Sequence, residues 1–182
     1  MAEPREGART GLSAYGVLAS MTQGVSVRAA TASDLPALMH LETLFPEGDR
    51  ISAASWRRFI ARQGCVVVAV ADTAETEDLG AAVVLTRKGS QTMRLYSLAV
   101  DARAQGRGVG RALVEAALAC ARREGCARLS LEVRPDNAAA RTLYYKCGFE
   151  DRGVMPEHYA DGTAALIMDR AVPSGPAETQ TR

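Results

Sequence analysis

Two rhythms of apolar and polar positions run along this chain, one with a period of two residues and one near 3.6. Residues 65–71 read Cys-Val-Val-Val-Ala-Val-Ala, small and β-branched, which predicts a buried strand. Residues 79–86 and 93–100 predict two more strands, set off by an acidic turn at 72–78 and by Lys88-Gly89-Ser90. Connections this short favour antiparallel neighbours, so 65–100 reads as a meander. Ahead of it, 25–29 predicts a short strand. Thr31 or Ser33 then caps a helix through residue 44, with Leu35, Leu38, Met39 and Leu41 on or near one face. Phe45-Pro46-Glu47-Gly48-Asp49 ends it, because proline and glycine do not continue a helix. A second helix is predicted from Ser52 to residue 63, with Trp56, Phe59 and Ile60 at i, i+3 and i+4.

Past residue 100 the helical rhythm takes over. Residues 108–124 predict a strongly amphipathic helix in which Val109, Leu113, Val114, Ala117, Leu118 and Ala121 share a stripe, and Gly125 ends it. Residues 128–134 alternate, with Leu129, Leu131 and Val133 on one side and Ser130, Glu132 and Arg134 on the other. Strand, helix, strand in this order predicts a parallel crossover joining 93–100 to 128–134. A helix at 136–146 and strands at 149–155 and 164–170 complete the series. The expected fold is α/β (α+β), a mixed, mostly antiparallel central sheet flanked by helices. Residues 1–24 and 173–182 mix Gly, Ser, Ala, Pro and charge without a period. They predict disordered ends around one domain spanning 25–172.

Composition narrows the function classes. With 182 residues, 47% of them hydrophobic, the chain suits one domain with a sizeable core. A net charge of +1 lacks the basic excess of a nucleic-acid coat or a polybasic membrane anchor. No run approaches the roughly 18 apolar residues of a spanning helix, and the start lacks a basic-then-apolar leader. The expectation is a cytoplasmic protein without nucleic-acid or membrane partners. Four cysteines without CxxC spacing, and two histidines, predict no metal site and reduced, buried thiols.

The most informative segment is Leu98-Ala99-Val100-Asp101-Ala102-Arg103-Ala104-Gln105-Gly106-Arg107-Gly108-Val109-Gly110-Arg111. A strand runs into a glycine-rich turn that opens a long helix. Glycine permits unusual backbone angles and close approach. The first N–H groups of a helix lack internal partners and carry partial positive charge, so an anion such as a pyrophosphate fits there. Arg107 and Arg111 add charge at the rim. A turn needing glycine for shape alone is the structural alternative. A P-loop requires Gly-Lys-Ser or Gly-Lys-Thr, whereas Gly110 is followed by Arg111-Ala112. A dinucleotide fold expects Gly-x-Gly-x-x-Gly in a repeating strand–helix array with an acid on the next strand. The spacing here differs, although Glu132 imitates that acid.

Gln105-Gly106-Arg107-Gly108-Val109-Gly110 resembles the Gln/Arg-x-x-Gly-x-Gly/Ala pattern of the GNAT acyltransferase superfamily. The likeness covers residues 25–172. It extends to the ribosomal-protein-alanine N-acetyltransferase branch through Leu131-Glu132-Val133-Arg134 and Asn137-Ala138-Ala139-Ala140, with Leu143-Tyr144 and Gly148-Phe149 beyond. The resemblance implies a splayed parallel strand pair holding acetyl-CoA as co-substrate, and no metal. It places the pantetheine arm on backbone groups of Leu98, Ala99 and Val100, with Gln105 opening the motif. The pyrophosphate falls on the N–H groups of Gly106, Arg107, Gly108, Val109, Gly110 and Arg111, and the Asn137 amide reaches the cofactor. The implied acceptor is a protein N-terminal α-amine or a small-molecule amine, and the implied assembly a monomer or homodimer.

Attack on a thioester requires a neutral amine, yet an α-amine with a pKa near 8 and a lysine near 10.4 are largely protonated at neutral pH. A base within reach is therefore useful. The resemblance assigns this role to Glu132, a carboxylate in a central strand that must be paired, hydrated or functional. The structural account gives it an ion pair with Arg134 or a neighbouring arginine. Tyr144 matches the acid position that protonates the leaving thiolate. Tyr145 lies about 100° away around the helix and cannot face the same point. The oxyanion is expected to meet a backbone N–H near Leu98. Transfer is direct, since no acyl-carrying nucleophile stands out. Phe45, Glu47 and Tyr159 are the candidates for acceptor contact. A noncatalytic acyl-CoA-binding regulatory module and a nucleotide-binding oxidoreductase are the competing readings.

Overall fold

The computed structural model describes residues 18–22, 25–61, 66–71, 78–87 and 89–173. In chain order the elements are strands β1 (Leu18–Thr22) and β2 (Val25–Ala29), helices α1 (Leu35–Glu42) and α2 (Ala53–Ala61), and strands β3 (Val66–Ala71), β4 (Asp78–Leu85) and β5 (Thr92–Val100). Helix α3 (Val109–Arg123), strand β6 (Arg128–Val133), helix α4 (Ala138–Lys146) and strands β7 (Glu150–Met155) and β8 (Ala165–Ala171) follow. The strands form one sheet in the order β1-β2-β3-β4-β5-β6-β8-β7. Only β5 and β6 pair in parallel among the described residues, as the crossover through α3 requires. The meander and the order of elements follow the sequence pattern.

One element departs from it. Leu18–Thr22, expected within a disordered end, forms strand β1, with Leu18 opposite Val27 and Thr22 opposite Val25 of β2. A short edge strand draws its hydrogen bonds from its neighbour, which no periodicity of its own announces. The remainder of the predicted ends, 1–17, 23–24 and 174–182, and the acidic turn at 72–77, lie outside the described residues.

Two apolar layers sandwich the sheet. On one face Val109, Leu113, Val114, Ala117, Leu118 and Ala121 of α3 are buried against Met93, Leu95, Leu129, Leu131 and Met168. On the other, Leu38 and Leu41 of α1 and Trp56 of α2 cover Ala81, Val83 and Ala99. Each fully buried leucine on these faces contributes about 1.5–3 kcal/mol.

A bulge interrupts β5. Val83 pairs with Ser97 and Val84 with Leu95, leaving Tyr96 as an extra residue in β5. The insertion reverses the alternation: Met93 and Leu95 face α3 ahead of it, while beyond it Leu98 and Val100 lie against the same layer and Ala99 joins the other. The β5–β6 ladder runs only from Thr92↔Arg128 to Arg94↔Ser130, two residues short of the bulge. Past that point the two strands part, and residues 95–100 of β5 remain bonded to β4 alone.

Helix α3 is seated on this sheet through Gly80 of β4. A methyl there would stand 2.7 Å from the Ala99 carbonyl oxygen and 3.1 Å from a Val109 methyl. Gly80→Ala is therefore expected to cost about 1–3 kcal/mol of stability through overpacking, read as a lower midpoint in urea unfolding.

Candidate active site

The turn between β5 and α3 is built around Asp101. Its N–H donates to the Leu79 carbonyl at 2.9 Å, and its carboxylate accepts the Arg103 N–H at 2.8 Å, tying the turn to the sheet. Arg103 beside it holds the carboxyl below its usual range. Gly106 and Gly108 have φ of +77° and +80°, the left-handed region that other residues enter only with strain. A methyl on Gly106 would touch nothing within 4 Å, so glycine serves backbone angle and open approach there. Gly110 serves another purpose. A methyl on it would lie 2.9 Å from a Leu143 methyl, so it lets α3 and α4 pack closely.

Among the described residues no backbone bond uses the N–H groups of Gly106, Gly108, Val109, Gly110 or Arg111. Arg107 differs from the sequence expectation, because its N–H donates to Ala104 at 3.3 Å. Val109 turns its side chain into the core and offers only its backbone. Five donors at the positive end of a four-turn helix, with solvent-accessible glycines beside them, form a cradle suited to an anion.

From there a cleft of about 650 Å³ runs through the gap between β5 and β6. Leu98, Ala99, Val100, Gln105, Asn137 and Tyr144 line its donor half. Asn137 caps α4, its Oδ1 accepting the Ala140 N–H at 3.0 Å. Tyr144 is 7% exposed, and burial pushes its phenol well above the usual range. Its hydroxyl makes no hydrogen bond among the described residues. Tyr145 instead points outward, donating to Asp151 at 2.8 Å, so Tyr144 is the member of the pair that lines the cleft.

Glu132, Arg94, Arg134, Phe45 and Tyr159 line the acceptor half. Arg94 donates from Nε to Glu132 Oε2 at 2.6 Å, and its guanidinium lies 5.3 Å from the centre of the Tyr96 ring. The expected ion pair is thus present, with Arg94 rather than Arg134 as partner, and it uses one carboxylate oxygen. Glu47 is not among the residues of the cleft wall. It is exposed in the turn Glu47–Asp49, and Gly48 and Asp49 line the cleft instead. That segment is folded on itself: Arg50 donates to the Phe45 carbonyl at 2.9 Å, and buried Glu42 accepts the Ile51 N–H at 2.7 Å. Burial raises the Glu42 carboxyl above its ordinary range.

The sequence profile of the acetyltransferase (GNAT) family matches residues 35–149. This chain belongs to that family. It is 32% identical over 148 residues to the [ribosomal protein bS18]-alanine N-acetyltransferase of Escherichia coli, covering 79% of this chain and 95% of the relative. An uncharacterised protein of Mycobacterium leprae is 36% identical over 152 residues, 80% of this chain but only 40% of that longer protein. The crystal structure of Ard1 from Thermoplasma volcanium superposes with a TM-score of 0.73 at 26% identity, covering 83% of this chain and 99% of the other.

The GNAT assignment removes the oxidoreductase reading, as does the antiparallel meander ahead of the cradle. Acetyl-CoA is the family's co-substrate, and the cradle fits its diphosphate by donor count and open space. Among the described residues no helix is long and apolar enough to cross a membrane, and no cluster of three or more metal-ligating side chains forms. Sequence reasoning missed Arg94, Tyr96 and the Asp49–Arg134–Asp161 contacts. The alternation of β6 puts Glu132 on the acceptor face, but only the β5–β6 register reveals that Arg94 meets it.

Gly108→Ala keeps the helix but puts a side chain on its left-handed N-cap, at a strain of about 1–2 kcal/mol that pulls the turn from its binding geometry. Coenzyme A affinity by calorimetry is expected to fall roughly 5- to 30-fold, with little change in the fold's circular dichroism.

Proposed function

We propose that this chain is an N-acetyltransferase that moves an acetyl group from acetyl-CoA directly to a primary amine, with a protein N-terminal α-amine as the preferred acceptor. The observation that carries the reading is the open β5–β6 gap, where Gln105 at the edge of the cradle, the Glu132 carboxylate and the buried Tyr144 phenol line one cleft. The 32% identity to an N-acetyltransferase over nearly that enzyme's whole length favours the α-amine over a small-molecule amine.

Acetyl-CoA supplies an acyl carbonyl already activated as a thioester. The chain supplies position and protons. Past Arg94 strand β5 has no ladder partner on the β6 side, and its segment 98–100 holds the pantetheine arm as an added strand would be held. The amides of Gly106 and 108–111 hold the diphosphate. Glu132 accepts the proton of the acceptor ammonium, directly or through water, with Arg94 fixing one of its oxygens. Tyr144 keeps its proton at neutral pH because burial disfavours the phenolate, and it donates that proton to the departing sulfur. Cys147, buried with its thiol pushed up by desolvation, is unsuited to carry the acyl group.

Two variants and an acceptor panel test this. Glu132→Gln is expected to lower kcat about 100-fold at neutral pH. The loss shrinks as pH rises through the acceptor's own pKa, near 8 for an α-amine, because the neutral amine then needs no base. Equal rates for parent and variant across that range remove Glu132 from the role. Tyr144→Phe is expected to lower kcat while leaving coenzyme A affinity within about twofold. Tight acetyl-CoA binding without transfer to N-terminal peptides, polyamines or aminoglycosides would favour a noncatalytic acyl-CoA-binding module.

A further inference from the structure

Arg134 leaves the end of β6 two residues beyond Glu132, on the same face of the strand. Its Nη2 donates to Asp49 at 2.7 Å, and its Nη1 donates to Asp161 at 2.8 Å. Its guanidinium carbon lies 4.0 Å from the centre of the Tyr159 ring. Asp49 belongs to the segment between α1 and α2, whereas Asp161 and Tyr159 belong to the segment between β7 and β8. One side chain, only 18% exposed, therefore joins three parts of the chain far apart in sequence.

A second observation places the same two segments in contact. A methyl on Gly48 would stand 3.0 Å from the Ala160 side chain, so the α1–α2 segment meets the β7–β8 segment where it has no side chain. Both segments line the acceptor half of the cleft. The β7–β8 segment is otherwise held by bonds within itself: His158 and Tyr159 donate to the Thr163 carbonyl, each at 3.0 Å, and the Thr163 N–H donates to Asp161 at 2.9 Å. None of these sets its distance from Asp49.

From this geometry we propose that Arg134 is a positioning residue, a strut that fixes the spacing of the two acceptor-side segments and holds Tyr159 in place between them. The proposal rests on the N-acetyltransferase reading for its kinetic consequence and on geometry alone for its structural one. Arg134 is poorly placed to serve as an anion site for the acceptor, because two carboxylates already balance its charge. A planar guanidinium is well matched to this role, since it presents donors in two directions and a flat face to an aromatic ring, which a lysine ammonium cannot reproduce. Asp161 is held down to about 2 by Arg134 and the Thr163 N–H, and the Arg134 charge persists at any working pH, so the strut stays intact across the range of the assay.

The test compares Arg134→Met, Arg134→Lys, Asp161→Asn and Gly48→Ala in the full chain, with two readouts. For Arg134→Met the KM for an N-terminal peptide acceptor is expected to rise at least tenfold, with saturated kcat within threefold and coenzyme A affinity unchanged. Amide hydrogen exchange is expected to quicken in both 45–51 and 156–163. Arg134→Lys recovers part of the loss at most. Gly48→Ala raises the acceptor KM by parting the segments while the ion pairs remain. Asp161 is exposed, so Asp161→Asn spares folding and keeps the test decisive should Arg134→Met not fold; an intermediate rise in KM is expected. Unchanged exchange in both segments overturns the strut, and so does a fall in kcat at constant KM. If the parent chain acetylates no amine, the functional reading fails while the exchange result still decides the strut.

Discussion

A backbone ladder that stops early governs this molecule. Parallel strands normally share hydrogen bonds along their length, and buried N–H and C=O groups left without partners are costly. Here β5 bonds to β6 only through Arg94, and the bulge at Tyr96 then turns it away. The groups exposed in the gap need a partner from outside the sheet. An amide-bearing chain such as pantetheine is chemically suited to be one, which is why the defect in the sheet is the proposed binding feature.

The rest of the site is arranged around that gap. One face of the sheet carries α3, whose first turn presents unbonded amides, and α4, which buries Tyr144. The other carries the segment after α1, with Glu132 and Arg94 above the sheet. The gap joins the faces, so in the proposed reaction a donor held from one side meets an acceptor approaching from the other. The division also separates the two groups proposed to handle protons. Tyr144 sits in an apolar layer that keeps it protonated, while Glu132 lies in the polar half of the cleft beside a guanidinium.

Much of this was legible in residue order. The stripe in α3, the alternation in β6 and the glycine turn each follow from local periodicity and backbone chemistry, and their placement relative to one another follows from the crossover rule. What escaped depends on contacts across the chain. The bulge at Tyr96 is a matter of register with β4, invisible in a run of apolar residues. Gly110 looks identical to Gly106 and Gly108 in the motif, yet only the proximity of Leu143 shows that it serves helix packing. Glu47 and Asp49 lie two residues apart in the same acidic turn, and the direction of that turn decides which of them joins the cleft. Strand β1 owes its existence to β2.

The central claim is that coenzyme A lies in the β5–β6 gap with its diphosphate on the first turn of α3. Nitrogen-15 NMR titration of the chain with coenzyme A tests it most directly. The account predicts large shifts at the amides of Gly106, Gly108, Val109, Gly110 and Arg111, with slowed exchange at residues 98–100 and little change along β7. Binding that leaves those five amides unmoved would contradict it.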